Sequence, residues 1–191
     1  METLQQPYGR AQSILSANGN IDIVIPSLNH SLELSIALRI AHSLLTFHLL
    51  DAQILSASEA EKGQAGGGNM VVVGCADSAV VKDILISGQS DWSYKSGAWA
   101  LNDRRFDRPS SGASGRWYAG CMLNVCLAGL LFLVKKASSS NAVLFLQSTD
   151  PQGLERVLRL FPIRTGVTVP DWLVVDGRAD RIGAAGTEGA G

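Results

Sequence analysis

The chain has 191 residues, of which 46% are hydrophobic, and its 16 Lys and Arg nearly balance its 17 Asp and Glu. A chain of this length buries roughly 70% of its unfolded surface in one core, so we predict a single folded domain. The net charge of −1 gives no electrostatic basis for binding nucleic acid or an anionic membrane, and we expect neither as a partner.

The chain opens with a segment of little pattern, followed by a strand. Residues 1–20 predict a linker or a disordered start. The first ten residues, METLQQPYGR, lack the basic-then-apolar pattern of a secretion signal, so the sequence indicates no compartment. Ile21 to Ile25 is a run of strand formers that Pro26 ends, and it predicts the first strand.

The next segment predicts an amphipathic helix, which either Asn29 or Ser31 can cap. Its apolar residues recur at helical spacing, and we expect them to face the core. They are Leu34, Leu38, Ala41, Leu45 and Leu49. The polar residues predicted on the opposite face are Ser31, Ser35, Arg39, His42 and Thr46.

Ala52 to Leu55 and Met70 to Val73 predict two further strands. Between them, Ser56 to Gly68 is rich in Ser, Glu and Gly, so we predict a flexible loop. Ser78 to Ile86 predicts a second helix, because apolar residues recur there at helical spacing.

A weakly patterned region follows as far as about Gly120, and it includes a predicted loop at Asp103 to Gly115. Ala119 to Val134 carries no charge, but a membrane-spanning helix needs about twenty apolar residues, so we predict buried core instead. Gly129 to Val134 and Ala142 to Gln147 are two strand-forming runs joined by a short loop. They predict a β-hairpin.

The last quarter of the chain predicts a helix and then a strand. Thr149 can cap the helix together with Gln152, and Pro151 suits its first turn. The apolar residues at helical spacing are Leu154, Leu158 and Phe161. Pro162 ends the helix, and Trp172 to Val175 predicts a buried strand.

Alternation of strands and helices indicates the α/β class, with a mostly parallel sheet flanked by helices and one β-hairpin near the C-terminal half. We place one α/β domain at 21–182. The remainder, 183–191, is a Gly- and Ala-rich segment with few apolar anchors, and we expect it to be a flexible tail.

The C-terminal block resembles the C-terminal region of large, secreted fungal proteins described as α/β-hydrolases or prolyl oligopeptidase-like serine peptidases. The residues that carry the resemblance are Arg159 to Pro162, Thr165 to Val167, Pro170 to Val175 and Gly183 to Gly189. A looser similarity extends through the segments IDIVIP and ALRIAH. The resemblance implies that the nucleophile lies in a preceding catalytic domain, so no catalytic residue is implied in this chain.

The residues themselves contain no marked hydrolase site. A nucleophile elbow needs G-x-S-x-G, and neither Gly88-Gln89-Ser90 nor Gly112 to Gly115 has that spacing. The histidines, His30, His42 and His48, all lie in the first quarter, which does not suit the chain order of an α/β-hydrolase triad. We therefore predict no catalytic residue, with His42 on the surface and His48 close to a helix end, where its charge suits the helix dipole.

Two glycine-containing turns are candidates for phosphate binding. Gly66 to Gly68 precedes a strand, whereas a dinucleotide fingerprint follows one, so we exclude it. Gly74 to Ser78 joins a strand to a helix and could bind an anion, but Asp77 would repel it. We interpret this turn as an ordinary connection in which Asp77 or Ser78 caps the helix.

The three cysteines, Cys75, Cys121 and Cys126, have no histidine nearby to complete a zinc site. We expect buried free thiols, with a labile disulfide as the alternative, and neither metal nor cofactor. The aromatic group Trp92, Tyr94 and Trp99 indicates packing under a loop or against a domain, although a sugar-binding platform is the alternative. Arg104, Arg105 and Arg108 are interleaved with aspartates and predict a solvated loop.

The function that these observations favour is that of a non-catalytic accessory α/β domain, which packs on a catalytic hydrolase domain or gates access to it. The alternatives are a small serine hydrolase with an unrecognised site and a carbohydrate-binding accessory module that uses the Trp92 to Trp99 face. The expected partners are a catalytic hydrolase domain or a second copy, bound through an exposed apolar patch. We expect that patch at Ala119 to Val134 or at Trp92 to Trp99.

Overall fold

The structure is a computed structural model that describes residues 11–16, 20–29, 31–102, 104–107, 125–126, 129–136, 141–148, 151–161, 170–175, 177, 180 and 187–190. A 3₁₀ helix at Ala11–Ser16 comes first. The strands are β1 (Ile21–Ile25), β2 (Ala52–Ser56), β3 (Met70–Val73), β4 (Trp92–Lys95), β5 (Ala98–Leu101), β6 (Arg104–Asp107), β7 (Val125–Cys126), β8 (Gly129–Lys135), β9 (Ala142–Gln147), β10 (Trp172–Val175) and β11 (Thr187–Ala190). The helices are α1 (Leu32–His48), α2 (Ala57–Glu61), α3 (Ala79–Ser87) and α4 (Pro151–Leu158).

The main sheet is mixed, which agrees with the predicted α/β class. Its seven strands have the order β11-β10-β8-β9-β3-β1-β2. The four strands β9, β3, β1 and β2 are parallel, and β8, β10 and β11 extend the sheet by antiparallel pairs. The predicted hairpin is confirmed, because β8 pairs with β9 from Leu130 opposite Gln147 to Lys135 opposite Ala142.

One face of the main sheet is covered by α1, α4 and the 3₁₀ helix. Alternate residues of β1, β2, β3, β8, β9 and β10 point to this face, as the twofold periodicity of a strand requires. Examples are Ile23 of β1, Val71 of β3 and Leu144 of β9, which are all fully buried. Ala11 and Ile14 of the 3₁₀ helix belong to the same cluster. The folded unit therefore begins within the segment predicted to be a linker or disordered start.

The other face is covered by α3, α2 and a second, four-stranded sheet in the order β4-β5-β6-β7. This region of the sequence is weakly patterned, and the only element predicted in it is a loop at Asp103 to Gly115. Trp92 and Trp99 pack from the small sheet onto Phe132 and Phe145 of the main sheet. The arginine pair Arg104-Arg105 starts strand β6 rather than lying in a solvated loop, and the rest of the expected loop falls outside the described residues.

Helix α1 is confirmed, with Ser31 as its N-cap: the Ser31 hydroxyl accepts the backbone N–H of Leu34 at 3.2 Å. The prediction of its core-facing side is wrong for Leu38, Leu45 and Leu49, whereas Leu34 and Ala41 are half-buried against the core. The buried residues are Ile36, Ala37, Ile40 and Leu44. The predicted stripe lies on another side, where Leu38 is 56% exposed and Leu45 is 53% exposed. The helix carries two apolar stripes, and the one that contains the two isoleucines packs on the sheet.

Two other segments differ from expectation. The predicted loop after β2 contains helix α2, which begins with a capping box: the Ser56 hydroxyl accepts the N–H of Glu59, and the Glu59 carboxylate accepts the N–H of Ser56 at 2.8 Å. In the predicted C-terminal tail, Thr187–Ala190 forms the edge strand β11, which pairs with β10. Thr149, Gly166, Cys121 and His30 lie outside the described residues.

Candidate functional site

The carboxyl ends of β1 and β3 form the switch point of the parallel strands, where open α/β sheets commonly bind ligands. Cys75 follows β3 at this point and is 4% exposed. Its thiol donates to the carbonyl oxygens of Val73 at 3.4 Å and Val24 at 3.7 Å. Burial raises the pKa of the Cys75 thiol to about 12, and nearby Glu33 adds to that increase. The thiol is therefore neutral and enclosed, which suits neither a nucleophile nor a metal ligand.

The turn between β3 and α3 is already satisfied by the chain itself. Gly74 has a φ of +69°, and a Cβ added there would lie 2.9 Å from Glu33 Cγ, so only glycine fits without strain. Ser78 caps α3 by accepting the N–H of Val81, as predicted. The Glu61 carboxylate accepts the N–H of Ala79 at 3.2 Å. The helix N-terminus that could have bound an anion thus faces a carboxylate of the same chain.

The glycine-rich loop before β3 is held by buried polar groups. The Gly66 N–H donates to Asp22 Oδ2 at 2.7 Å, and Asp22 is 2% exposed on β1. The amide of Asn69, also buried, donates to the Ile14 carbonyl and accepts the N–H of Ala142, both at 2.9 Å. These bonds connect β1, β3, β9 and the 3₁₀ helix. Because each bond joins two parts of the chain, the group is a structural node.

The described histidines have no catalytic partner. His42 is exposed on α1, as predicted. His48 is the last residue of α1, and its Nε2 atom is buried without a hydrogen-bond partner in the part of the chain that the structure describes. Neither ring bonds to a serine among those residues. Asp171 Oδ1 is likewise buried and unpartnered there, and burial raises the pKa of the Asp171 carboxyl.

The aromatic residues of the small sheet form core, not a binding platform. Trp92 is 5% exposed and Trp99 is 1% exposed. Trp92 stacks on Phe132 with ring centroids 4.7 Å apart, and Tyr94 packs on Trp99 at 5.0 Å. A sugar needs an exposed aromatic face, so this pair does not provide the expected platform. The Trp92 to Trp99 segment is also not the exposed apolar patch that we expected.

The second expected patch, Ala119 to Val134, is described only at 125–126 and 129–134. Gly129 to Phe132 are buried there, as is Val134, and Leu133 is half-buried. Over the described ranges, no helix has both the length and the apolar character needed to cross a membrane. The same ranges contain no group of three His, Cys, Asp or Glu side chains that could hold a metal ion.

The exposed apolar surface lies instead on α1. Six large hydrophobic side chains are exposed among the described residues, and four of them belong to α1 or its C-cap. These four are Leu38, Leu45, Phe47 and Leu49. Half-buried apolar residues continue the surface onto β2. Phe47 lies on a different side of α1 from the three leucines. We call the surface formed by the leucines and these half-buried residues the open flank and define it as Leu34, Leu38, Ala41, Leu45, Leu49, Ala52 and Ile54.

The open flank overhangs the β2 edge of the main sheet. Helix α1 packs on β1 and β2, and α4 packs beside it on β8 and β9. Arg39 extends from α1 towards α4, where its Nη1 lies 2.7 Å from Glu155 Oε1. With 3.6 residues per turn, Leu34, Ala41 and Leu45 lie on the opposite side of the buried stripe from Arg39. They therefore face away from α4 and outward past β2.

A shallow cavity of about 480 Å³ adjoins the open flank at the first two turns of α1. It is lined by Ser31, Leu32, Leu34, Ser35, Leu38 and Arg39. One wall is apolar and continuous with the flank, and the other is polar. Sequence reasoning found these leucines but assigned them to the core. The helix also contains a second set of apolar residues at helical spacing, which includes Ile36 and Ile40. The presence of two such sets is the signal in the sequence that one of them lies outside the core.

Comparisons of the chain with models of protein families, with curated proteins and with solved structures give no match.

Proposed function

We propose that this chain is a non-catalytic α/β domain that acts by association, and that the open flank is its association surface. The observation that carries the proposal is the contrast between the polar groups, which bond within the chain, and the exposed leucines of α1. The thiol of Cys75 and the carboxylates of Asp22 and Glu61 are engaged in the chain's own structure. Leu38 and Leu45 of the flank are instead more than half exposed, and exposed apolar surface of this kind is typical of interaction sites.

Leu49 supports this interpretation most directly. It is the C-cap of α1, with a φ of 55° in the left-handed region, and its side chain is 87% exposed. Glycine or asparagine suits that backbone conformation better than leucine. Leucine at this position therefore stabilises neither the cap nor the core of the isolated chain. It does extend the apolar stripe of α1 by one more turn.

The resemblance of the C-terminal block to prolyl oligopeptidase-like hydrolases supplies the context for association. In that context the domain packs on a catalytic hydrolase domain or gates access to it. No described geometry favours the alternative of a small serine hydrolase, because neither His42 nor His48 bonds to a serine among the described residues, and the capping hydroxyls of Ser31 and Ser78 bond to backbone N–H groups. No described geometry favours a carbohydrate module, because Trp92 and Trp99 are buried.

Fluorescence of a hydrophobic dye tests whether the open flank is an accessible apolar surface. The wild-type protein should enhance the dye, and the double variant Leu38→Gln/Leu45→Gln should lose more than half of that enhancement. Ile86→Gln is a matched control, since Ile86 is 77% exposed on α3, on the other face of the sheet. Equal dye binding by the wild type and the double variant would contradict the proposal.

A further inference from the structure

The two edges of the main sheet differ in how well they resist pairing with another strand. At one edge, the pairing of β10 with β11 has a register shift between Val174 and Val175. At the other edge, β2 pairs with β1 in unbroken register over all five residues, from Ile21 opposite Ala52 to Ile25 opposite Ser56. The sequence of β2, AQILS, contains no proline and no charge. Natural sheets usually protect an edge strand with a proline, a charged side chain or a bulge.

The β2 edge presents a regular set of backbone groups. The Ile21 N–H donates to the Asp51 carbonyl. In a parallel ladder the odd-numbered residues of β2 then bond to β1, and the N–H and C=O groups of Ala52 and Ile54 point outward. Within the described residues, β2 is the last strand on this side. A partner that brings both a strand edge and an apolar helix surface would cover Ala52, Ile54 and the leucines of α1 together.

We infer that the occupant of the open flank is a second copy of this chain, bound by antiparallel pairing of β2 with its counterpart about a two-fold axis at Gln53. This inference rests on the proposed function, because it takes the open flank to be an association surface. In this register Ala52 of one copy lies opposite Ile54 of the other, so the four outward backbone groups of each β2 bond to the partner. Gln53 lies opposite Gln53 of the partner subunit.

The same two-fold axis brings the helices to packing distance. Neighbouring strands are about 4.8 Å apart, and α1 lies over the β1–β2 pair, so the two α1 axes are separated by about 9.6 Å. Packed helices have interaxial distances of about 8–10 Å. The antiparallel α1 pair then buries Leu38 and Leu45 of each copy against the other copy's stripe. No side chain of the open flank is charged, so the pairing opposes no like charges.

The estimated area of this contact is that of a weak, reversible interface. Helix α1 has 17 residues and is about 25 Å long. With the strand edge beneath it, the contact measures about 25 Å by 20 Å, or about 1,000 Å² in total over both copies, which is at the low end for specific interfaces. We therefore expect a reversible dimer with a micromolar Kd.

Sedimentation velocity between about 5 and 200 µM tests the inference through a charge exchange at Gln53. Gln53 is exposed, so substitution leaves the fold intact. Gln53→Lys alone and Gln53→Glu alone each place like charges directly opposite and should raise the dimer Kd at least 10-fold. An equimolar mixture of the two variants should return the Kd to within about 3-fold of the wild-type value, since opposite charges then face each other.

Gln64 provides the matched control, because it is an exposed glutamine in the loop after α2. Gln64→Lys and Gln64→Glu should leave the Kd unchanged. Dimers that are insensitive to the charge at Gln53 would overturn the inference, as would a wild-type protein that is monomeric at every concentration. If the protein is monomeric but dye binding still depends on Leu38 and Leu45, the open flank remains an association surface for another partner. If the protein is monomeric and the Leu38→Gln/Leu45→Gln variant binds the dye as well as the wild type does, the proposed function fails as well.

Discussion

The two faces of the main sheet are covered in different ways. The face under the small sheet is closed by interlocking rings, in which Phe132 contacts Trp92, Trp99 and Phe145. The face under α1 and α4 is closed by aliphatic side chains in its centre but left open beyond β2, where Leu38 and Leu45 are more than half exposed. The less regular stretch of sequence is therefore buried, whereas the most regular apolar stripe is exposed.

This difference shows that apolar periodicity in a sequence identifies an apolar surface of a helix or strand. It does not show whether the chain itself or a partner buries that surface. On the face under the small sheet the chain supplies its own cover, because the paired strands β4 and β5 place Trp92 and Trp99 on Phe132 of the main sheet. On α1 the stripe that contains Ile36 and Ile40 is covered by the sheet, whereas Leu38 and Leu45 of the other stripe are more than half exposed. The exposed stripe is thus the part of the fold to which we assign the proposed association.

Truncation within the aromatic cluster should have the largest effect on stability. Phe132 is fully buried and stacks on Phe145 with centroids 4.6 Å apart. Phe132→Ala should lower the free energy of unfolding by about 3–5 kcal/mol, because it removes both burial and ring contacts. Urea denaturation followed by tryptophan fluorescence measures this change. A loss below about 1 kcal/mol would show that the small sheet does not seal this face.

Adjacent leucines on α1 should separate the two stripes of that helix. Leu44 is fully buried and Leu45 is 53% exposed. Leu44→Ala should lower the free energy of unfolding by about 2–5 kcal/mol, whereas Leu45→Ala should change it by no more than about 0.5 kcal/mol. The two variants remove the same atoms from neighbouring positions of one helix, so each serves as the control for the other. Equal losses would place both stripes in the core.

Much of the fold could be predicted because buried strands are short, continuous apolar runs. Met70–Val73, Ala142–Gln147 and Trp172–Val175 were predicted with the bounds that the structure shows. The small sheet was missed because its strands alternate weakly and are stabilised by rings from the distant strands β8 and β9. The stripe of α1 was misassigned because the choice depends on packing, which a single sequence does not contain.

A smaller loss should follow from adding one methyl group where α4 meets β8. A Cβ at Gly129 would press on the Gly153 carbonyl oxygen and lie 2.5 Å from Val157 Cγ2. Gly129→Ala should therefore lower the free energy of unfolding by about 1–3 kcal/mol. Gly97→Ala has a different cause of strain, since its surroundings are open but its φ is +76°. If Gly129→Ala leaves the midpoint of urea denaturation unchanged, α4 is not packed closely on β8.

The effect of the raised pKa of the Cys75 thiol on stability becomes visible only in alkaline solution. The pKa of the buried thiol is raised from 9.0 to about 12, so the folded state holds this proton more tightly than the unfolded chain. The associated stability is fully present below pH 9 and is lost as the pH rises towards 12.

Cys75→Ala removes the group and with it this part of the pH dependence. The stability of the wild type relative to Cys75→Ala should therefore fall between pH 8 and about 10.5, as measured by urea denaturation of both proteins at each pH. The comparison within each pH cancels the titration of the tyrosines, lysines and remaining cysteines. The same difference at both pH values would mean that the thiol is open to solvent, and the switch point between β1 and β3 would then have to be considered again as a reactive site.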